Sequence, residues 1–114
     1  MSEREQRPWG WFEVLHEEDR LKIKRILVRP KQRLSLQSHT RRAENWTVIQ
    51  GQAVVCLDDG THRLEAPQMI HIPRGSRHRI ENPADRDLIF IEIQTGTYLG
   101  EDDITRYEDD YERV

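Results

Sequence analysis

The chain is predicted to be all-β, a single antiparallel barrel or sandwich, on three observations. Short runs rich in β-branched and aromatic residues recur along its 114 residues, Gly, Pro, Asn and Asp separate them, and no segment sustains the 3.6-residue apolar period of an amphipathic helix. An N-terminal arm over residues 1–12 carries Arg7-Pro8-Trp9-Gly10-Trp11, whose tryptophans are expected to pack on the barrel or on a second subunit rather than face water. Strands are expected at Trp11 to Leu15, Leu21 to Val28, Leu34 to His39, Trp46 to Ile49, Ala53 to Leu57, Gln68 to Ile72, His78 to Glu81 and Leu88 to Gln94. Asp58-Asp59-Gly60 reads as a hairpin turn, because Asp and Gly tolerate the positive φ of a tight reversal, and Asn82-Pro83-Ala84-Asp85 reads as a second turn. From residue 98 to 114 acidic residues crowd around Tyr107 and Tyr111. This tail is expected to be a short helix begun by Asp102 or Asp103, or irregular chain, with its charges solvated.

A chain of this length suffices for one domain with a small core, and neither an internal repeat nor an interdomain linker is evident, so residues 1–114 are read as one domain. Charged residues make up 34% and the net charge is -3, the opposite of a general nucleic-acid footprint. No nucleic-acid partner is expected, and an anionic ligand would need a local cationic pocket. No apolar run approaches the roughly 20 residues that span a bilayer, and the polar start lacks the apolar stretch of a secretory signal, which predicts a cytoplasmic protein with no membrane partner. Cys56 is the only cysteine, so no internal disulfide is possible, and within Ala53-Val54-Val55-Cys56-Leu57 it is expected to be a small buried apolar residue.

Function is carried by two separated clusters. Gln37, His39 and Glu44 are followed by Pro73-Arg74-Gly75-Ser76-Arg77-His78. On an extended strand Gln37 and His39 share one face, so both can meet one ion, while Glu44 and His78 arrive from other strands. Two imidazoles, a carboxylate and an amide oxygen suit a borderline divalent cation: Zn foremost, with Mn, Co, Ni or Fe as alternatives. The rival reading is four unrelated polar residues on a sheet surface. His16 and His62 read as surface residues, and His71 as either a pocket residue or a half-exposed sheet histidine.

With these residues in view, the chain resembles a cupin, the small double-stranded β-helix or jelly-roll barrel. Gln37, His39, Glu44 and Gly51 stand at the intervals of its first motif, with Gln37 in place of the first His, and Pro73, Gly75, His78 and Asn82 at those of the second. Lys31 and Pro67 stand where the leading glycines would be. More narrowly, the chain resembles the cupin domain of type II mannose-6-phosphate isomerases, which usually follows a mannose-1-phosphate guanylyltransferase domain. The residues that carry this are Arg7 to Gly10, Gln32 to His39, Arg42 to Glu44 with Trp46, Ile72 to Pro83, Gln94 to Gly96 and Tyr98 to Ile104. The resemblance implies metal ligands at Gln37, His39, Glu44 and His78 and the interconversion of mannose 6-phosphate and fructose 6-phosphate. It also implies no guanylyltransferase in a chain this short. Thr40, Arg41 and Asn45 depart from histidines common in the family; Thr40 and Asn45 point away from the ligand face by strand parity.

Aldose–ketose exchange needs a proton carrier and cations for a phosphorylated sugar. Glu92, between Ile91 and Ile93, either projects into the cavity as an acid/base or faces solvent, and Lys24 and Arg42 are further catalytic candidates. Arg33 by parity faces the cavity and is a phosphate ligand candidate; Trp46 is either a wall for the sugar ring or a core residue; Gln94 is a third substrate-binding candidate. Leu34, Leu36 and Ser38 fall on the face opposite the ligands, where a second sheet or a second chain is expected, and the small core favours a homodimer. The alternatives are a catalytically silent sugar or sugar-phosphate binding cupin and a metal cupin of other chemistry, such as an oxygenase.

Overall fold

A computed structural model describes residues 3–112, and these hold eleven strands and no helix. In chain order they are β1 (Arg4–Arg7), β2 (Gly10–Glu18), β3 (Leu21–Val28), β4 (Leu36–Ser38), β5 (Arg42–Gln50), β6 (Gln52–Leu57), β7 (Gly60–Glu65), β8 (Met69–Ile72), β9 (His78–Glu81), β10 (Leu88–Gly96) and β11 (Thr105–Glu108). One sheet has the order β1-β2-β3-β10-β5-β8, the other β11-β4-β9-β6-β7, and every pairing is antiparallel.

Alternation builds the core. Ile26 and Val28 of β3, Trp46 and Val48 of β5, Leu88 and Phe90 of β10, and Ala53, Val55 and Ile80 of the facing sheet are buried together. The same inner faces carry Lys24, Glu44 and Glu92, so polar residues are set into an apolar layer at one place.

The turn residues work through identifiable bonds. Asp58 and Asp59 close a two-residue hairpin between Leu57 and Gly60, with Asp58 at φ 51°. Asn82 is fully buried: its amide donates to Val28 O (2.9 Å) and Arg86 O (2.7 Å), and its oxygen accepts from Ala84 N (3.0 Å), tying β9 and the turn after it to the end of β3. Gly75 has φ +80° and its N–H donates to His39 O at 2.9 Å, joining the two clusters. At Gly51, φ +88°, a Cβ would sit 2.8 Å from Asp87 O. Lys31, in place of a leading glycine, itself adopts φ 65°.

Three expectations change. The tail is not helical: β11 pairs with β4, and Arg33 and Arg79 hold Asp110 and Glu108, so its charges are paired rather than only solvated. β1 and β7 were invisible because polar residues dominate both. Leu34 does not lie on an outer face, since it packs against the core beside the cavity; Ser38 is covered by the chain's own β11, with Tyr107 Oη 2.8 Å from its Oγ. The arm folds onto the barrel: Trp9 enters the core and its carbonyl accepts from Arg29 N at 2.9 Å, while Arg4 stacks on Trp11 at 4.0 Å. Cys56 is half-buried. Among the described residues no helix is long and apolar enough to cross a membrane.

Candidate metal centre

His39 just past β4, Glu44 of β5 and His78 of β9 bring one donor atom each within 4.8 Å of one another, and all three are buried. His39 Nε2 is 3.3 Å from Glu44 Oε2, and His78 Nε2 is 3.9 Å from Glu44 Oε1. A tetrahedral ion with bonds of about 2.0–2.1 Å keeps its ligand atoms roughly 3.3 Å apart, so the spacing fits.

Tautomers fit as well. His39 Nδ1 is 2.7 Å from Asp103 O, and His78 Nδ1 is 3.0 Å from Ser76 O. A carbonyl only accepts, so each Nδ1 carries the proton and each Nε2 turns its lone pair toward Glu44. Burial, then the nearby Arg42 charge, lowers the His39 pKa to about 4, and burial also lowers that of His78. Both rings are therefore neutral at neutral pH, as ligation requires. Glu44 is held from both sides: Trp46 Nε1 donates to Oε1 at 2.9 Å and Arg42 Nε to Oε2 at 2.8 Å. Arg42 Nη2 also lies 3.2 Å from His39 Nε2, so an ion bound there competes with this guanidinium. Gln37 is the register partner of His78 and lines the cavity; its amide nitrogen donates to Ser35 Oγ at 3.0 Å, which leaves its oxygen as a fourth donor.

The cavity beside this cluster measures about 140 Å³, room for an ion with several waters. Glu92 is on its wall, opposite Lys24 of β3 and Trp46 of β5. Burial, then repulsion by Glu44, then a hydrogen bond to Glu44 push its carboxyl up to about 7. Lys24 Nζ lies 2.5 Å from Glu101 Oε1 and 4.2 Å from the Phe12 ring centroid. Trp46 is both wall and core, packed at 5.5 Å centroid separation against His78 and Phe90.

Two substrate-binding candidates are placed elsewhere. Arg33 does not line the cavity: it sits in an isolated bridge rather than a regular strand, so parity does not govern it, and its guanidinium grips Asp110 at 2.7 and 2.8 Å. Gln94 is fully buried beside Glu44 and is not part of the cavity lining, with neither amide atom paired among the described residues. His71 faces outward onto Asn45 at 3.2 Å, and His16 and His62 are exposed. Conversely, the tail supplies residues that charge-run reasoning discounts. Glu101 holds Lys24, and the Asp103 carboxylate accepts from Thr40 N (3.0 Å), Thr40 Oγ1 (2.8 Å) and Arg41 N (2.9 Å) while its carbonyl orients His39. Their signal was that Tyr98 to Ile104 carry the family resemblance despite lying in an acidic run.

Fold and site together define a cupin with a two-histidine, one-carboxylate pocket able to hold a metal ion. The family model described as "Mannose-6-phosphate isomerase C-terminal" matches residues 1–109, and the chain belongs to that family. It is 49% identical over 108 residues to the alginate biosynthesis protein AlgA of Pseudomonas aeruginosa, covering 95% of this chain and 22% of that protein. To a mannose-1-phosphate guanylyltransferase of Escherichia coli it is 44% identical, covering 95% and 23%. The chain thus spans under a quarter of the length of these relatives. Among solved structures, the oxalate decarboxylase of Bacillus subtilis superposes with a TM-score of 0.82 at 16% identity, over 92% of this chain and 30% of that one. The capsular polysaccharide assembling protein CapF of Staphylococcus aureus gives 0.81 at 20%, over 95% and 34%.

Proposed function

We propose that this domain is a metal-dependent isomerase that interconverts mannose 6-phosphate and fructose 6-phosphate. The observation that carries the reading is a buried carboxylate, Glu92, with Lys24 opposite it, on the wall of the cavity that Glu44 and His78 of the three-donor cluster also line. Family membership and the biosynthetic relatives support the substrate class.

Such an exchange moves a proton between adjacent carbons and builds negative charge on their oxygens. A divalent ion held by His39, Glu44, His78 and Gln37 would supply a Lewis acid for that charge, zinc being the best match to this donor set. Glu92 takes the proton from one carbon and returns it to the other, and its pKa near 7 suits both directions. Lys24 and Arg42 face the same space and balance the developing charge, while Trp46 carries the sugar ring and Phe12 and Phe90 keep water out. Thr40, Arg41 and Asn45, which depart from the family's histidines, contact Asp103, Tyr98 and His71 and do not line the cavity, which favours the isomerase over a silent binding module.

The test is a coupled assay of mannose 6-phosphate conversion on chelator-stripped protein, before and after adding back Zn²⁺, Mn²⁺, Co²⁺, Ni²⁺ or Fe²⁺. Turnover restored by an ion and absent in His78→Ala supports the isomerase; binding of the ion without turnover by any metal rejects it.

A further inference from the structure

The cations that line the cavity are not equivalent. Lys24 is held by Glu101, Arg42 by Glu44 although its Nη1 stays unpaired, Arg79 by Glu108 and Arg7 by Glu5. Arg106 of β11 also lines the cavity, yet it has no hydrogen bond or ion pair among the described residues, and its Nε is buried without an acceptor. A half-buried guanidinium with an unfilled donor is unfavourable unless a ligand completes it. We propose that Arg106 is the anchor for the phosphate group of the sugar phosphate, a residue that sets specificity for phosphorylated over neutral sugar. The proposal rests on the isomerase reading for its substrate, while the anion site itself rests on the geometry.

Position supports the assignment. Strands β9, β4 and β11 are neighbours, and Gln37 of β4 faces His78 on one side and Arg106 on the other. His78 and Arg106 are therefore two strand spacings apart, roughly 10 Å. An open-chain hexose whose first two oxygens lie at the metal donors carries its 6-phosphate across most of that span, given carbon–carbon bonds of about 1.5 Å. The arginine side chain closes the remainder. A guanidinium fork matches two phosphate oxygens at once, and Arg33, whose fork is taken by Asp110, has none to offer.

Two measurements test this separately from the isomerase reading. In the first, inorganic phosphate is added to chelator-stripped protein and thermal unfolding is followed for wild type, Arg106→Gln, Arg106→Lys and, as a control of equal charge change, the exposed Arg63→Gln. Stabilisation of wild type and Arg63→Gln, reduced in Arg106→Lys and absent in Arg106→Gln, is expected; equal stabilisation of Arg106→Gln, or none in wild type, overturns the anion site. In the second, metal-loaded proteins are assayed on mannose 6-phosphate, where Arg106→Gln should raise KM about 10- to 100-fold and change kcat less. An unchanged KM in an active Arg106→Gln enzyme overturns the proposal while leaving the isomerase intact. Inactivity of wild type with every metal sinks the isomerase, and the phosphate shift then still decides Arg106.

Discussion

Glu92→Gln should make the metal-free protein more stable at neutral and alkaline pH while abolishing turnover. The Glu92 carboxyl titrates at about 7 in the fold against an ordinary 4.5, chiefly because burial disfavours its charge. A raised carboxyl holds its proton in the folded state when the unfolded chain has already lost it, so stability is highest below about pH 4.5 and declines as pH rises to about 7, above which the loss is complete. A gap of about 2.5 in pH, at 1.36 kcal/mol each, amounts to roughly 3 kcal/mol at pH 8 and under about 1 kcal/mol at pH 5. Glutamine keeps the shape and can still donate to Glu44, but carries no charge to bury. The assay is denaturant unfolding of chelator-treated wild type and variant at both pH values, taking the difference between proteins so that other titrations cancel. A gain of a few kcal/mol at pH 8 that shrinks at pH 5 is expected. A variant that is less stable at pH 8, or equally shifted at both, would refute the placement of Glu92 as a desolvated carboxyl.

Other expectations follow from the groups around the ligands. Trp46→Phe removes the donor to Glu44 Oε1, which should cost about 1–3 kcal/mol in unfolding free energy and weaken metal binding about 10- to 100-fold by calorimetric titration. Asp103→Ala frees two backbone N–H groups and the Thr40 hydroxyl beside His39. By loosening the segment whose carbonyl holds His39 Nδ1 it should weaken metal binding about 10-fold, whereas undiminished affinity would show that the carboxylate is not needed to hold that carbonyl in place. Asn82→Ala leaves two carbonyls and one N–H without their partner in the turn after β9, and should lower stability by about 2–4 kcal/mol with little effect on metal affinity, read by denaturant unfolding.

What the sequence made legible tracks the regularity of the backbone. On β3, β5 and β10, long, well-paired strands keep strict alternation and set Lys24, Glu44, Trp46 and Glu92 on the inner face; parity relates Trp46 to Glu44 but left open whether Glu92 turns inward. It failed at Arg33 and Leu34, which precede the short β4 in an isolated bridge and irregular chain. The turn at Asp58 was readable because Asp tolerates the positive φ it adopts there, and that at Asn82 because its side chain bonds locally to Ala84 N and Arg86 O. The tail was not: what makes Thr105 to Glu108 a strand is its pairing with β4, a contact some seventy residues away in sequence, and what makes Glu101 and Asp103 important is their distant partners Lys24 and Thr40. Gln94 shows the limit in the other direction, since parity turns it inward but does not say that it is buried beside Glu44 without joining the cavity lining.

Metal occupancy is the claim on which the rest depends, and the location of the ion tests it most directly. Crystals grown with Zn²⁺ should give a single anomalous peak per chain at about 2.0–2.2 Å from His39 Nε2, His78 Nε2 and a Glu44 oxygen, with the Gln37 oxygen completing the set and Arg42 displaced from His39. A peak on the Nδ1 atoms, on surface histidines such as His16, or none in this cavity would contradict the account.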